Sequence, residues 1–127
     1  MDNNKPLGMH YILDFYDCNS KYLTSVLYIR KIMQLCSQVG KFRVVKSCFH
    51  QFKPHGVSGV MVLKESHFSI HTWPEYKYAA VDVFLCDTKV SVDRVVEYLC
   101  SKLETENYKI LVLKRGVEFS NSNVIMR

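Results

Sequence analysis

The sequence predicts an α+β fold: a two-layer α/β sandwich, with two helices on one face of a mostly antiparallel sheet. Three observations predict it. Two stretches carry apolar residues at helical spacing, which gives each a single stripe to bury. Six runs rich in β-branched and aromatic residues read as strands. Four of those runs follow one another between the two helical stretches, in the order β-α-β-β-β-β-α-β, and such elements bury their apolar faces by packing helices on a sheet.

The elements follow in chain order. His10 to Tyr16 is the opening strand. Ser20 can cap a helix running to about Val39, with Tyr22, Val26, Ile29, Met33 and Cys36 on one stripe and Gly40 as its stop. Phe42 to Phe52 is strand-like, and Lys53-Pro54-His55-Gly56 is a turn. Gly59 to Glu65, Ser66 to Trp73 and Tyr78 to Cys86 are three further strands, with Thr72-Trp73-Pro74 closing the second of them. Ser91 can cap a second helix, with Val92, Val95, Val96, Leu99 and Leu103 in line. Tyr108 to Lys114 is the last strand. Val117 to Arg127 is rich in Ser and Asn, lacks periodicity, and reads as a mobile tail.

The 127 residues are enough for one domain with a real core. No apolar run approaches the roughly 18 residues of a membrane helix, and the first residues carry no hydrophobic signal region. Five cysteines, an odd number without a Cys-x-x-Cys pair, argue against a disulfide framework or structural zinc and for a reducing, cytoplasmic setting. The net charge is +5, but Lys and Arg are scattered in runs no longer than two. That is a solvated surface and not a nucleic-acid patch.

The densest chemistry lies between Glu65 and Glu75: Glu-Ser-His-Phe-Ser-Ile-His-Thr-Trp-Pro-Glu. A half-buried strand rarely carries two serines, two histidines and two carboxylates within eleven residues. His67 and His71 do not suit one metal ion. On a strand they share a face but stand about 13 Å apart, too far for a single ion to span.

This block resembles the self-cleavage and active-site motif of the small prokaryotic S-adenosylmethionine decarboxylases, a family of pyruvoyl enzymes. The similarity continues upstream through Ser47-Cys48-Phe49-His50-Gln51-Phe52-Lys53-Pro54-His55-Gly56-Val57-Ser58-Gly59-Val60. It continues downstream through Tyr78-Ala79-Ala80-Val81-Asp82-Val83-Phe84-Leu85-Cys86. Gly8-Met9-His10 and Asp14-Phe15-Tyr16-Asp17-Cys18 fit the family's opening strand, so the likeness runs from about Gly8 to Gly116. Lys77 stands where a glycine is usual. Lys64 and Phe68 are bulkier than the usual residues and would crowd the cleavage site.

Decarboxylating an amino acid leaves electrons on Cα, and a carbonyl that forms a Schiff base with the substrate amine accepts them. The resemblance implies that this carbonyl is a pyruvoyl group derived from Ser66. The Ser66 hydroxyl would attack the Glu65 carbonyl, and elimination would cut the chain into 1–65 and 66–127. His71 would move protons during processing, and Ser58 would support the intermediate. Cys86 would protonate Cα after CO₂ leaves, with little part in cutting; a thiol holds most of its protons at neutral pH. Phe52 would stack on adenine and Glu75 would accept the ribose hydroxyls. His67 has no assigned role. Trp73 and the cysteines at 18, 36, 48 and 100 read as packing residues.

The resemblance also implies a homodimer in which Phe52, Ser58, His71 and Glu75 of one protomer face Ser66 and Cys86 of the other. The expected function is decarboxylation of S-adenosylmethionine for spermidine synthesis. Two alternatives stay open: a related pyruvoyl decarboxylase acting on L-ornithine or L-arginine, and a non-catalytic paralogue that only dimerises. No metal, nucleic acid or membrane is expected.

Overall fold

The computed structural model describes residues 5–86, 92–118 and 124–126. Its elements are β1 (Gly8–Tyr16), α1 (Ser20–Leu23), α2 (Val26–Val39), β2 (Val44–Gln51), β3 (Val57–Leu63), β4 (Ser66–Trp73), β5 (Tyr78–Leu85), α3 (Val92–Leu103), β6 (Asn107–Arg115) and β7 (Val124–Met126). A short 3-10 turn, Pro74–Tyr76, joins β4 to β5. The strands form one sheet in the order β2-β3-β4-β5-β1-β6-β7, and every neighbouring pair is antiparallel.

Strand period decides which face is buried, because successive side chains point to opposite sides. Leu13, Phe15, Met61, Phe68, Ile70, Val81, Val83, Ile110 and Val112 fall on one face and are all buried. They meet the stripes of α2 (Ile29, Ile32, Met33, Cys36) and α3 (Val92, Val95, Val96, Leu99, Leu103) in a single core. The opposite face carries His10, His67, Ser58, His71, Ala80 and Asp82 in cross-strand register, and there Val60, Val62 and Trp73 are exposed.

The two-layer expectation agrees with this architecture, and the differences have local causes. The first helical stretch is two helices. Asn19, and not Ser20, caps α1 by accepting from the Lys21 N–H. Ser25 then starts α2 by accepting from the Tyr28 N–H; a cap residue has extended backbone, so it breaks the run. Gly40 ends α2 without a left-handed conformation; Lys41 takes that, with φ of 59°. Glycine is needed at 40 for space, since a Cβ there would lie 2.7 Å from Val95 Cγ2, between α2 and α3.

The expected cap Ser91 lies outside the described residues, as do 119–123 and 127 of the expected tail. Residues 124–126 depart from that expectation, for they pair with Leu111–Leu113 of β6 as the outermost strand. Lys77 explains its own oddity. It adopts φ of 52° after the 3-10 turn, a left-handed conformation that costs a residue with a Cβ and suits glycine.

Candidate active site

Strand β4 carries chemistry at both ends, and the two ends are different places. At its far end, β3 and β4 pair so that Ser58 faces His71. Ser58 Oγ and His71 Nδ1 lie 2.7 Å apart, a hydrogen bond whose direction follows the imidazole tautomer. The β2–β3 turn folds over this pair. Its tightness comes from Gly56, whose φ of 104° favours glycine and whose carbonyl accepts from the Phe52 backbone N–H and the Gln51 side-chain amide. The turn brings His55 Nε2 to 2.7 Å from Glu75 Oε2. A cavity of about 330 Å³ results, lined by Phe52, His55, Ser58, His71, Trp73 and Glu75 among others.

Four expected site residues therefore meet in one cavity: Phe52, Ser58, His71 and Glu75. Phe52 is 47% exposed and presents its ring to the opening, held edge-on to His50. Trp73 is a correction to the packing assignment. It is 41% exposed, lines the cavity, and leans on Tyr78 at 5.4 Å.

The near end of β4 holds Glu65, Ser66 and Cys86. The Glu65 carbonyl oxygen accepts from the Cys86 N–H at 2.8 Å and from the Cys86 thiol at 2.9 Å. Two donors on one carbonyl polarise it toward attack at carbon. Ser66 has φ of 153°, within the range that favours glycine, so a residue with a Cβ is strained there. The bond between Glu65 and Ser66 is thus both polarised and strained. Lys64 is exposed, and Phe68 is fully buried edge-on against Phe42, so neither crowds this bond as expected.

The Glu65 side chain is also buried, at 2% exposure. Its Oε1 accepts from the Arg43 N–H at 2.8 Å and its Oε2 from Arg43 Nε at 2.6 Å. Burial pushes the carboxyl pKa up, but the Arg43 hydrogen bonds and charge outweigh it and leave the group below the usual range. His67 is stacked on Phe84 and close to His10, while His10 hydrogen-bonds Asp82. Burial and the His10 charge hold its pKa below the usual value, which favours neutral imidazole.

Five steps along β4 lead from Ser66 to His71, about 16 Å at 3.3 Å per residue. Within one chain, His71 and Ser58 do not reach Ser66. Cys86 is exposed at the end of β5, not a buried packing thiol. Cys18 and Cys36 are buried, and burial pushes both thiols up to about 12. Cys48 is exposed, against the packing expectation, because β2 is the sheet edge. Arg43 and His55 were not among the expected site residues. His55 had a signal, lying between Pro54 and Gly56 in a turn next to Phe52. Arg43 had none, because its partner is 22 residues away.

Among the described residues, no three His, Cys, Asp or Glu side chains group closely enough to hold a metal ion. No helix there is long and apolar enough to cross a membrane.

A family model described as S-adenosylmethionine decarboxylase matches residues 9–116. The chain is 45% identical over 112 residues to the S-adenosylmethionine decarboxylase proenzyme of Thermosipho melanesiensis, covering 88% of this chain and 86% of that protein. It is 40% identical over 112 residues to the protein of that name from Thermotoga maritima, with the same 88% and 86% covered. The crystal structure of the adenosylmethionine decarboxylase from Aquifex aeolicus matches with a TM-score of 0.82 at 34% identity, over 94% of this chain and 98% of that one. These likenesses place the chain among decarboxylases of two-layer α/β fold. It belongs to the S-adenosylmethionine decarboxylase family.

Proposed function

We propose that the protein decarboxylates S-adenosyl-L-methionine to S-adenosyl 3-(methylsulfanyl)propylamine for polyamine synthesis, after making its own pyruvoyl group from Ser66. The observation that carries this reading is the Glu65–Ser66 bond, with its carbonyl held by two Cys86 donors and its serine at φ of 153°. In the first step Ser66 Oγ bonds to the Glu65 carbonyl carbon. The Oγ proton passes to a base, the C–N bond breaks, and the amine leaves protonated, giving an ester. In the second step a base takes the Ser66 Cα proton, the Cβ–Oγ bond breaks, and Glu65 leaves as a carboxylate. Tautomerisation and hydrolysis with one water release ammonia and leave the pyruvoyl group.

Once formed, that group supplies a carbonyl that takes up the electrons left on Cα when CO₂ departs. Cys86, beside it, holds the proton that Cα then receives. In the cavity Phe52 offers a face to adenine, and Glu75, anchored by His55, offers an oxygen to the ribose hydroxyls. The adenine and ribose partners favour S-adenosylmethionine over ornithine or arginine, which have neither.

The same geometry calls for a homodimer. His71 lies far along β4 from its own Ser66, with Ser58 beside it on β3, so the partner's pair serves this bond. The open sheet face, with Val60, Val62 and Trp73 exposed, is a surface that a second copy can cover. A cytoplasmic setting fits the five free cysteines.

Intact mass measurement of purified protein, with CO₂ release from carboxyl-labelled substrates, tests the reading. Two fragments, 1–65 and 66–127, and label released from S-adenosylmethionine are expected. A persistently single chain that is nevertheless active would sink the pyruvoyl chemistry. Release from ornithine or arginine alone would overturn the substrate and leave the pyruvoyl chemistry standing.

A further inference from the structure

Cutting a peptide bond needs its carbonyl carbon held in line with the attacking oxygen, because small misplacements cost large factors in rate. The Glu65 carbonyl oxygen is fixed from one side by Cys86. What fixes the other side is the Glu65 side chain. It is buried, and its two oxygens are taken by the backbone N–H and the Nε–H of Arg43. A backbone bond from the Lys64 N–H to the Arg43 carbonyl, at 2.9 Å, ties the preceding residue to the same anchor. The neighbouring Ser66 sits at an unfavourable φ, and such a conformation persists only when its surroundings over-determine it.

We propose that Arg43 is a positioning residue for self-cleavage: through the Glu65 carboxylate it holds the Glu65–Ser66 peptide in its strained, Cys86-bonded conformation. This rests on the reading of Ser66 as the pyruvoyl precursor. The route runs through the Glu65 carboxylate, whose two oxygens Arg43 bonds with its backbone N–H and its Nε–H. Its guanidinium is largely exposed while the carboxylate is not, so the clamp reaches the buried bond from the surface. A bidentate hold by backbone and side chain resists rotation of the Glu65 side chain in a way that a single contact does not.

The experiment follows first-order conversion of freshly made chain to its two fragments by intact mass. Arg43→Ala should slow conversion about tenfold or more, since one charge-assisted bond is lost while the Arg43 N–H bond remains. Arg43→Lys should fall between, because an ammonium restores charge but not the planar geometry. Low millimolar guanidinium chloride should speed conversion of Arg43→Ala relative to sodium chloride at equal concentration, and should leave the unaltered chain unchanged. A merely structural role would not produce that rescue. Conversion of Arg43→Ala at the unaltered rate overturns the proposal. So does slow conversion that guanidinium leaves untouched. An unaltered chain that never converts fails in a distinguishable way, since it removes the Ser66 reading and the clamp with it.

Discussion

One carbonyl oxygen concentrates the chemistry at the residue scale. The Glu65 oxygen accepts both donors of Cys86, and this alters what the cysteine is expected to do. The family resemblance implies a proton donor for decarboxylation with little part in cutting. On the proposed reading of Ser66 as the attacking group, the contact would give the thiol a second task, stabilising the charge that grows on that oxygen. Cys86→Ala keeps the backbone N–H and loses the thiol, so self-cleavage should slow by about tenfold, below the 10²–10³ of a strong oxyanion donor. Turnover of whatever is cut should fall further. Timed mass spectrometry beside a CO₂ assay separates the two, and cleavage at the unaltered rate would return Cys86 to the single role. Residue identity alone could not reveal this, because the donors and the acceptor are 21 positions apart.

Among the elements, the turn after β4 shows a local choice at odds with its backbone. Lys77 lies in the left-handed region, where a Cβ costs roughly 1–2 kcal/mol and glycine costs little. Lys77→Gly should therefore stabilise the protein by about 1 kcal/mol once the extra freedom of unfolded glycine is subtracted. Thermal melting of both chains checks it, and a lower melting point for the glycine chain would contradict the strain argument. The elements show what could be read in advance. The stripe of α3 and the alternation of β1 and β5 were legible, because period alone dictates which side is buried. The break at Ser25 was not, because a serine is compatible with a helix until its hydroxyl finds the Tyr28 N–H. Strand 124–126 was not, because three residues are too few to show a period. The site divides similarly. Phe52, Ser58, His71 and Glu75 could be named from the motif, whereas the Arg43–Glu65 contact exists only once the β3–β4 connection lies beside the α2–β2 connection.

For the whole molecule, the distance along β4 sets the test. Ser66→Ala chains lack the proposed attacking hydroxyl, and His71→Ala chains lack the proposed proton carrier. Mixed and allowed to exchange subunits, the two should produce some cut chain, in which an intact Ser66 meets an intact His71 across the interface. No cut chain despite demonstrated exchange would favour sites complete within one protomer. The strand order carries one further consequence. Residues 1–65 contribute β1, β2 and β3, and residues 66–127 contribute β4 to β7. In the sheet these alternate, with β1 of the first piece inserted between β5 and β6 of the second. The proposed cut therefore leaves two peptides woven through each other and not two halves lying side by side. Neither can leave without dismantling the sheet. A molecule unravelled after the cut must find its other peptide by collision, a search whose success depends on concentration. Maturation would thus be a ratchet: the chain folds as one body, and its descendant in dilute solution has no equally easy way back.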